Sequence, residues 1–232
     1  MHGRMRNLGI VLAVMGIGFV AAGTFAFAKT AEGYTSLNAL SAAQDVRLSY
    51  NDQGQLTDHG DAASAQSILA LLRDEWKYPV NMSDLNPNDP VVNTASEFMF
   101  QMATITHHIT SGTQTVVLPA DVTAADGTVY KAGTYEFAVD GRYFSQFNRA
   151  NPIEGKARDQ AWSATGLALI SNLGVGTATA TALQLGLGIA GIFAGFGLFA
   201  LVAGFGLVWV ARAATAEERA PKVVLQPRAM PA

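Results

Sequence analysis

Two apolar runs dominate this chain and limit what it can fold into. Leu8 to Ala28 (LGIVLAVMGIGFVAAGTFAFA) is unbroken by any charge. As a helix it is about 31 Å long, the thickness of a bilayer's hydrocarbon core. The second run is longer. No Asp, Glu, Lys or Arg occurs between Asp159 and Arg212, and Leu185–Val210 is apolar throughout. Such a segment spans a bilayer with tilt or with an extension beyond it. Ala26-Phe27-Ala28 has the A-x-A shape of a signal-peptidase site, but the run before it exceeds the usual h-region of about 7–15 residues. The expectation is a retained helix.

Charge placement orients the two runs. Arg4 and Arg6 precede the first, and Arg212, Arg219, Lys222 and Arg228 follow the second. Basic residues at both outer ends predict two cytoplasmic termini, with Trp209 at the interface. Residues 29–180 carry 9 Lys/Arg against 16 Asp/Glu, whereas the two ends together carry 6 against 2. An acidic middle excludes nucleic acid as a partner, because phosphate binding needs clustered cations. Cysteine is absent, which rules out disulfides, thiol redox chemistry and thiolate-bound metal.

The expected fold is therefore a membrane α-helical hairpin with an inserted extracytoplasmic α+β domain. Its parts are an N-terminus at 1–7, a first membrane helix at 8–28, the domain at 29–180, a second membrane helix at 181–211 and a tail at 212–232. Both helices carry small residues in stripes: Gly9, Ala13, Gly16 and Gly23 on the first, Gly186, Ala190, Ala194, Gly197 and Gly204 on the second, with Gly191 and Gly195 forming a G-x-x-x-G. Small residues let helix backbones approach where lipid supplies no hydrophobic driving force. The stripes predict packing of the two helices on each other. The abundance of glycine in Leu185–Val210 further predicts a face for self-association or another membrane subunit, alongside contact with lipid.

Within the domain, Asn51–Gly54 reads as a turn. Asp61 caps a helix predicted over 62–77, with Ile68, Leu69, Leu71, Leu72 and Trp76 on its apolar side. The stretch Asp84–Pro90 (DLNPNDP) is loop. Thr94 and Glu97 form a T-x-x-E capping box opening a helix to about Ile109, with Phe98, Met102, Ile105 and Ile109 as its stripe. Strands follow at 113–118, 129–130 and 135–139, with turns at Asp126-Gly127 and Asp140-Gly141 and a last strand expected over 143–147. Asn151-Pro152 and Gly155 are read as closing that segment. Residues 160–173 pattern as an amphipathic helix that either lies on the membrane or extends the second membrane helix.

The residues best suited to chemistry lie on the second of these helices. Glu97, Gln101, Thr104 and His108 share one face, but bundle metal motifs place Glu and His at i and i+3. His107 and His108 point about 100° apart, which prevents them from closing on one ion. The metal candidates are thus His107, His108 and Glu97, each with a polar helix face as its ordinary explanation. Nucleophile elbows and phosphate loops are missing from the sequence. Asn81-Met82-Ser83 matches a glycosylation sequon, a three-residue pattern common by chance. The Asp140–Tyr143 turn with Arg149 reads as a hairpin end. No catalytic residue and no cofactor is expected.

The basic start, the L-G-I-V-L opening of the first helix, Leu85–Thr94 (LNPNDPVVNT) and the glycine-rich second helix before a charged tail resemble a group of short actinobacterial two-pass membrane proteins. Some of that group bear a description as LigA-type aromatic ring-opening dioxygenases. Such chemistry needs an iron site such as two histidines and a carboxylate. The sequence, with His2, His59, His107 and His108 scattered along it, displays no such set. The resemblance implies the two-helix layout and no activity. The functional expectation is a non-enzymatic accessory or structural subunit of a membrane complex. The alternatives are an extracytoplasmic ligand-binding or sensory module, or a metal-touching subunit of a membrane oxidoreductase.

Overall fold

The structure is a computed structural model that describes residues 2–219, with side chains described to Thr215. Lys222, Arg228 and the prolines at 221, 227 and 231 lie outside the described residues, as does the side chain of Arg219. The element order is α1 (His2–Gln44), β1 (Ser49–Tyr50), β2 (Leu56–Thr57), α2 (Ala62–Ala70), α3 (Ala95–Ser111), β3 (Thr113–Leu118), β4 (Val122–Thr123), β5 (Val129–Tyr130), β6 (Gly133–Ala138), α4 (Pro152–Ala161) and α5 (Ala164–Arg219). Two long apolar helices therefore bracket a region of shorter helices and antiparallel strands. The chain divides into two units, one of residues 1–33 with 183–232 and one of residues 34–182.

The first unit pairs the apolar parts of α1 and α5. Both helices are long and apolar enough to cross a membrane, and only 17% and 11% of their most apolar windows are buried. A core helix of a water-soluble domain shows the reverse. Phe25, Phe199, Val202 and Trp209 are each more than 65% exposed, a density of exposed large apolar side chains that water-soluble monomers rarely leave uncovered. Phe19 and Phe193 meet across the pair at 5.8 Å between ring centroids.

The second unit is built on α2, α3 and a strand arm. Asp61 caps α2 by accepting from the Ala63 amide at 2.8 Å. The helix then widens into one π turn, Leu71–Glu75, and stops with Lys77 at φ 54°. Ile68, Leu69 and Leu72 are buried, as are Phe98, Phe100 and Ala103 on α3. Burial on α3 thus extends beyond the predicted stripe, whose Met102, Ile105 and Ile109 are only partly covered.

The strands form three two-stranded antiparallel ladders. β3 pairs with β6 from Thr113↔Ala138 to Leu118↔Gly133, and β4–β5 is a shorter hairpin nested inside it. Asp121 ties the two tiers, accepting from Lys131 Nζ at 2.8 Å and from the Ala132 amide at 2.9 Å. The third ladder, β1–β2, closes over the Asn51–Gly54 turn. Such short strands carry too few side chains to show the alternation that marks a strand in sequence.

Three local expectations are corrected. Residues 143–147 are not a strand: Phe144–Gln146 is a 3₁₀ turn, with the Tyr143 amide donating to Gln146 Oε1 at 2.6 Å. Consequently Asp140-Gly141, both at positive φ, turns out of β6 without leading into a partner strand. Asn151-Pro152 opens an element rather than closing one. The Asn151 side chain accepts from the amides of Ile153 and Glu154, Pro152 takes the first helical position and α4 follows through Gly155, the usual N-terminal chemistry. Finally, the helix predicted over 160–173 is interrupted at Trp162 (ψ 57°), and α5 begins at Ala164 with Ser163 Oγ accepting from the Gly166 amide at 3.2 Å. Beyond that break α5 is continuous, as in the second of the two readings offered for this segment. Likewise α1 runs past residue 28 to Gln44, several turns beyond the predicted end of the first apolar helix.

Candidate functional site

The predicted small-residue stripes are the seam of the first unit. A Cβ built on Gly9 falls 2.6 Å from the Gly204 carbonyl oxygen, and one on Gly16 falls 2.8 Å from that of Gly197. A Cβ on Gly23 meets the Ala194 amide at 2.8 Å and the Ala190 carbonyl at 3.0 Å, while one on Gly204 meets the Ala13 amide at 2.7 Å. One on Gly186 meets the Thr30 hydroxyl oxygen at 2.5 Å. Backbone atoms cannot yield to a methyl group, so glycine is required where helix backbones cross.

Gly191 and Gly195 are not part of that seam. Neither has a described atom within 4 Å of a built Cβ, and the same holds for Gly188 and Gly206. At about 100° per residue these four glycines fall within about 60° of one another, on the side of α5 turned away from α1. The second membrane-length helix therefore has one glycine face occupied by α1 and an open side on which glycines alternate with the exposed Ile192, Phe199 and Val202.

In the second unit, the three metal candidates separate. Glu97 is 1% exposed, and its Oε2 accepts from the Asn93 amide (3.0 Å), the Thr94 amide (2.8 Å) and the Thr94 hydroxyl (2.8 Å). The Glu97 amide donates back to Thr94 Oγ1 at 3.3 Å, which completes the capping box. Burial, opposed by these hydrogen bonds, leaves the carboxyl above its ordinary pKa. Along α3, Glu97 and His108 are about 16 Å apart, too far to share an ion. His107 and His108 diverge, their ring centroids 6.0 Å apart.

His108 instead meets a residue 50 positions earlier in the chain: its Nε2 lies 3.1 Å from the Asp58 carboxylate. His59 Nε2 lies 3.9 Å from Asp58 Oδ1, and the His59 and His108 rings meet edge to face at 5.0 Å. Among the described residues, Asp58, His59 and His108 are the group whose ligand atoms all lie within 4.8 Å of one another. Two histidines and a carboxylate converge here, the adjacent Asp58 and His59 meeting His108 from α3.

Local backbone chemistry explains the placement. Asp58-His59-Gly60-Asp61 is a tight turn in which Asp58 and Asp61 exchange both backbone hydrogen bonds at 2.9 Å. His59 (φ 50°) and Gly60 (φ 83°) take its two left-handed positions, the type I′ pattern. The turn leads directly into α2, whose Ser64 hydroxyl donates to Asp58 Oδ2 at 2.7 Å. α2 in turn packs on α3, which delivers His108. Asp58 is 8% exposed. Burial pushes its carboxyl up, but the Ser64 and His108 hydrogen bonds and the charge of the two histidines outweigh this and hold it below the ordinary carboxylate range. The His108 side chain is 42% exposed and that of His59 82%, so the group opens to solvent on one side.

Sequence reasoning missed Asp58 and His59. A legible signal was present, because His-Gly between two aspartates before a helix is I′-turn chemistry. Nothing local announces that α3 returns to meet it. The Asp140–Tyr143 region has a structural explanation: the Trp76 indole donates to Tyr143 Oη at 2.8 Å, the Trp162 indole donates to the Arg142 carbonyl at 3.2 Å, and the Tyr143 and Trp162 rings stack. Arg149 forms no ion pair or ring contact among those described there. No protein-family model, curated protein or solved structure matches this chain.

Proposed function

We propose that this chain is a two-pass membrane protein that serves as an accessory or structural subunit of a membrane assembly. In this reading both termini are cytoplasmic and residues 29–180 lie outside the cytoplasmic membrane. The open glycine face of α5 carries the proposal. Gly188, Gly191, Gly195 and Gly206 have no described atom within 4 Å of a built Cβ, although lipid contact alone does not require glycine. The seam with α1 already satisfies the pairing of the two helices. Glycine notches set between the exposed Ile192, Phe199 and Val202 on that side support a second helix, from another copy or another subunit. The membrane setting is supported by the exposed apolar surface of both helices and by the basic residues at their outer ends. Retention of the first helix is supported by the seam, since cleavage after Ala28 would remove Gly9, Gly16 and Gly23 from α5.

The experiment is mild-detergent purification of tagged protein from its own host, with mass spectrometry of what co-elutes, for the wild type and for G191L/G195L. The wild type is expected to elute with a defined membrane partner or as a symmetric oligomer. The double variant is expected to lose that association while its circular dichroism is unchanged, because neither position touches the α1–α5 seam. A stable, partner-free wild-type monomer overturns the proposal, as does an association indifferent to the double substitution.

A further inference from the structure

We propose that Asp58, His59 and His108 bind a single divalent first-row transition ion of the zinc class. The donor set is two imidazole nitrogens and one carboxylate oxygen, which suits zinc and its neighbours and not the hard ions that demand oxygen cages. A tetrahedral ion with bonds of about 2.0–2.2 Å holds its ligand atoms about 3.3–3.6 Å apart. The observed separations of 3.1 Å for His108 Nε2 and 3.9 Å for His59 Nε2 from the carboxylate bracket that value. The two imidazole nitrogens also lie within 4.8 Å of each other, so side-chain rotations close the set on one ion, which takes the place of the contact between His108 and Asp58.

The surroundings support the ligands. Ser64 Oγ holds Asp58 Oδ2 at 2.7 Å, the kind of outer hydrogen bond that orients a ligating carboxylate. His59 is held over the same carboxylate at a left-handed φ of 50°, a conformation uncommon for a residue other than glycine. Three protein ligands leave one coordination position, on the exposed side, for water or an exogenous anion.

The test uses the full chain in detergent micelles, purified without a histidine tag and stripped with chelator. Zn²⁺ is titrated calorimetrically, and Co²⁺ is added separately to read its d–d absorption. One Zn²⁺ per chain is expected, with Co²⁺ bands of a low-symmetry nitrogen and oxygen site. H59N, which keeps a residue tolerant of positive φ, and H108Q should each weaken Zn²⁺ binding tenfold or more and abolish the Co²⁺ bands. H107Q should bind as the wild type does. Absence of wild-type binding overturns the proposal. So does Zn²⁺ affinity unchanged in a folded H59N protein, the mark of adventitious binding elsewhere; His59 is exposed enough that this variant remains informative if H108Q does not fold. Subunit association plays no part in these readouts, so failure here and failure of the assembly reading are separable.

Discussion

The Glu97 carboxylate closes a helix end instead of an ion site, and it is poised between two opposing effects. Burial disfavours its charge, and the nearby charge of Asp89 adds to that, while two amides and a hydroxyl favour it. Its folded pKa is raised, so the folded state binds the proton more tightly than the unfolded state does. The resulting stability contribution is largest below the ordinary glutamate range and is lost as pH rises through the folded pKa. E97Q keeps an oxygen acceptor of capping-box type but cannot titrate. Its melting temperature relative to wild type should therefore be highest at neutral pH and fall as the solution is acidified. E97A leaves the half-buried amides of Asn93 and Thr94 without their acceptor and should cost about 1–3 kcal/mol in denaturant unfolding. Residue types and spacing were enough to read this box from T-x-x-E, because its partners sit on one helical turn. Asp58 and His108 were beyond the same reasoning because they are far apart in the chain, and only the packing of α2 on α3 joins them.

Helices with local signals were legible, and elements defined by tertiary contact were not. α2 and α3 announce themselves through Asp61 and Thr94, and β3 and β6 through runs of β-branched and aromatic residues. The α4–α5 boundary was hidden because Gln160–Leu173 keeps a helical apolar pattern straight through Trp162. Trp162 leaves the helix while its indole bonds the Arg142 carbonyl and its ring stacks on Tyr143, contacts that no window of sequence contains. The beginning of α5 offers a paired test. Gly174 has nothing within 4 Å of a built Cβ, whereas at Gly176 that atom falls 2.7 Å from the Phe98 ring. Alanine gains about 1 kcal/mol over glycine inside a helix, and overpacking a buried aromatic costs about 1–3 kcal/mol. G174A should therefore stabilise the protein by up to about 1 kcal/mol. At Gly176 the two effects oppose each other, so G176A should range from neutral to destabilising by about 2 kcal/mol. The difference between the two variants in parallel denaturant melts reports the Phe98 contact.

For the whole molecule, the two apolar helices and the sign of the flanking charge make one physical demand. A chain with Arg4 and Arg6 before the first helix and Arg212 after the second satisfies the positive-inside rule only if both ends stay on the cytoplasmic side and residues between the helices are exported. Only the residues flanking the helices count towards that rule, because a segment as long as 29–180 crosses largely regardless of its own charge. The absence of cysteine from the sequence makes the arrangement directly measurable with single substitutions and no background labelling. Ala125 is exposed in the turn between β4 and β5, and Gly3 is exposed near the start of α1. A125C should react with a membrane-impermeant maleimide in spheroplasts, while G3C should react only after the membrane is opened. Labelling of G3C and not A125C would invert the orientation. Protection of both would place both positions inside and remove the exported domain.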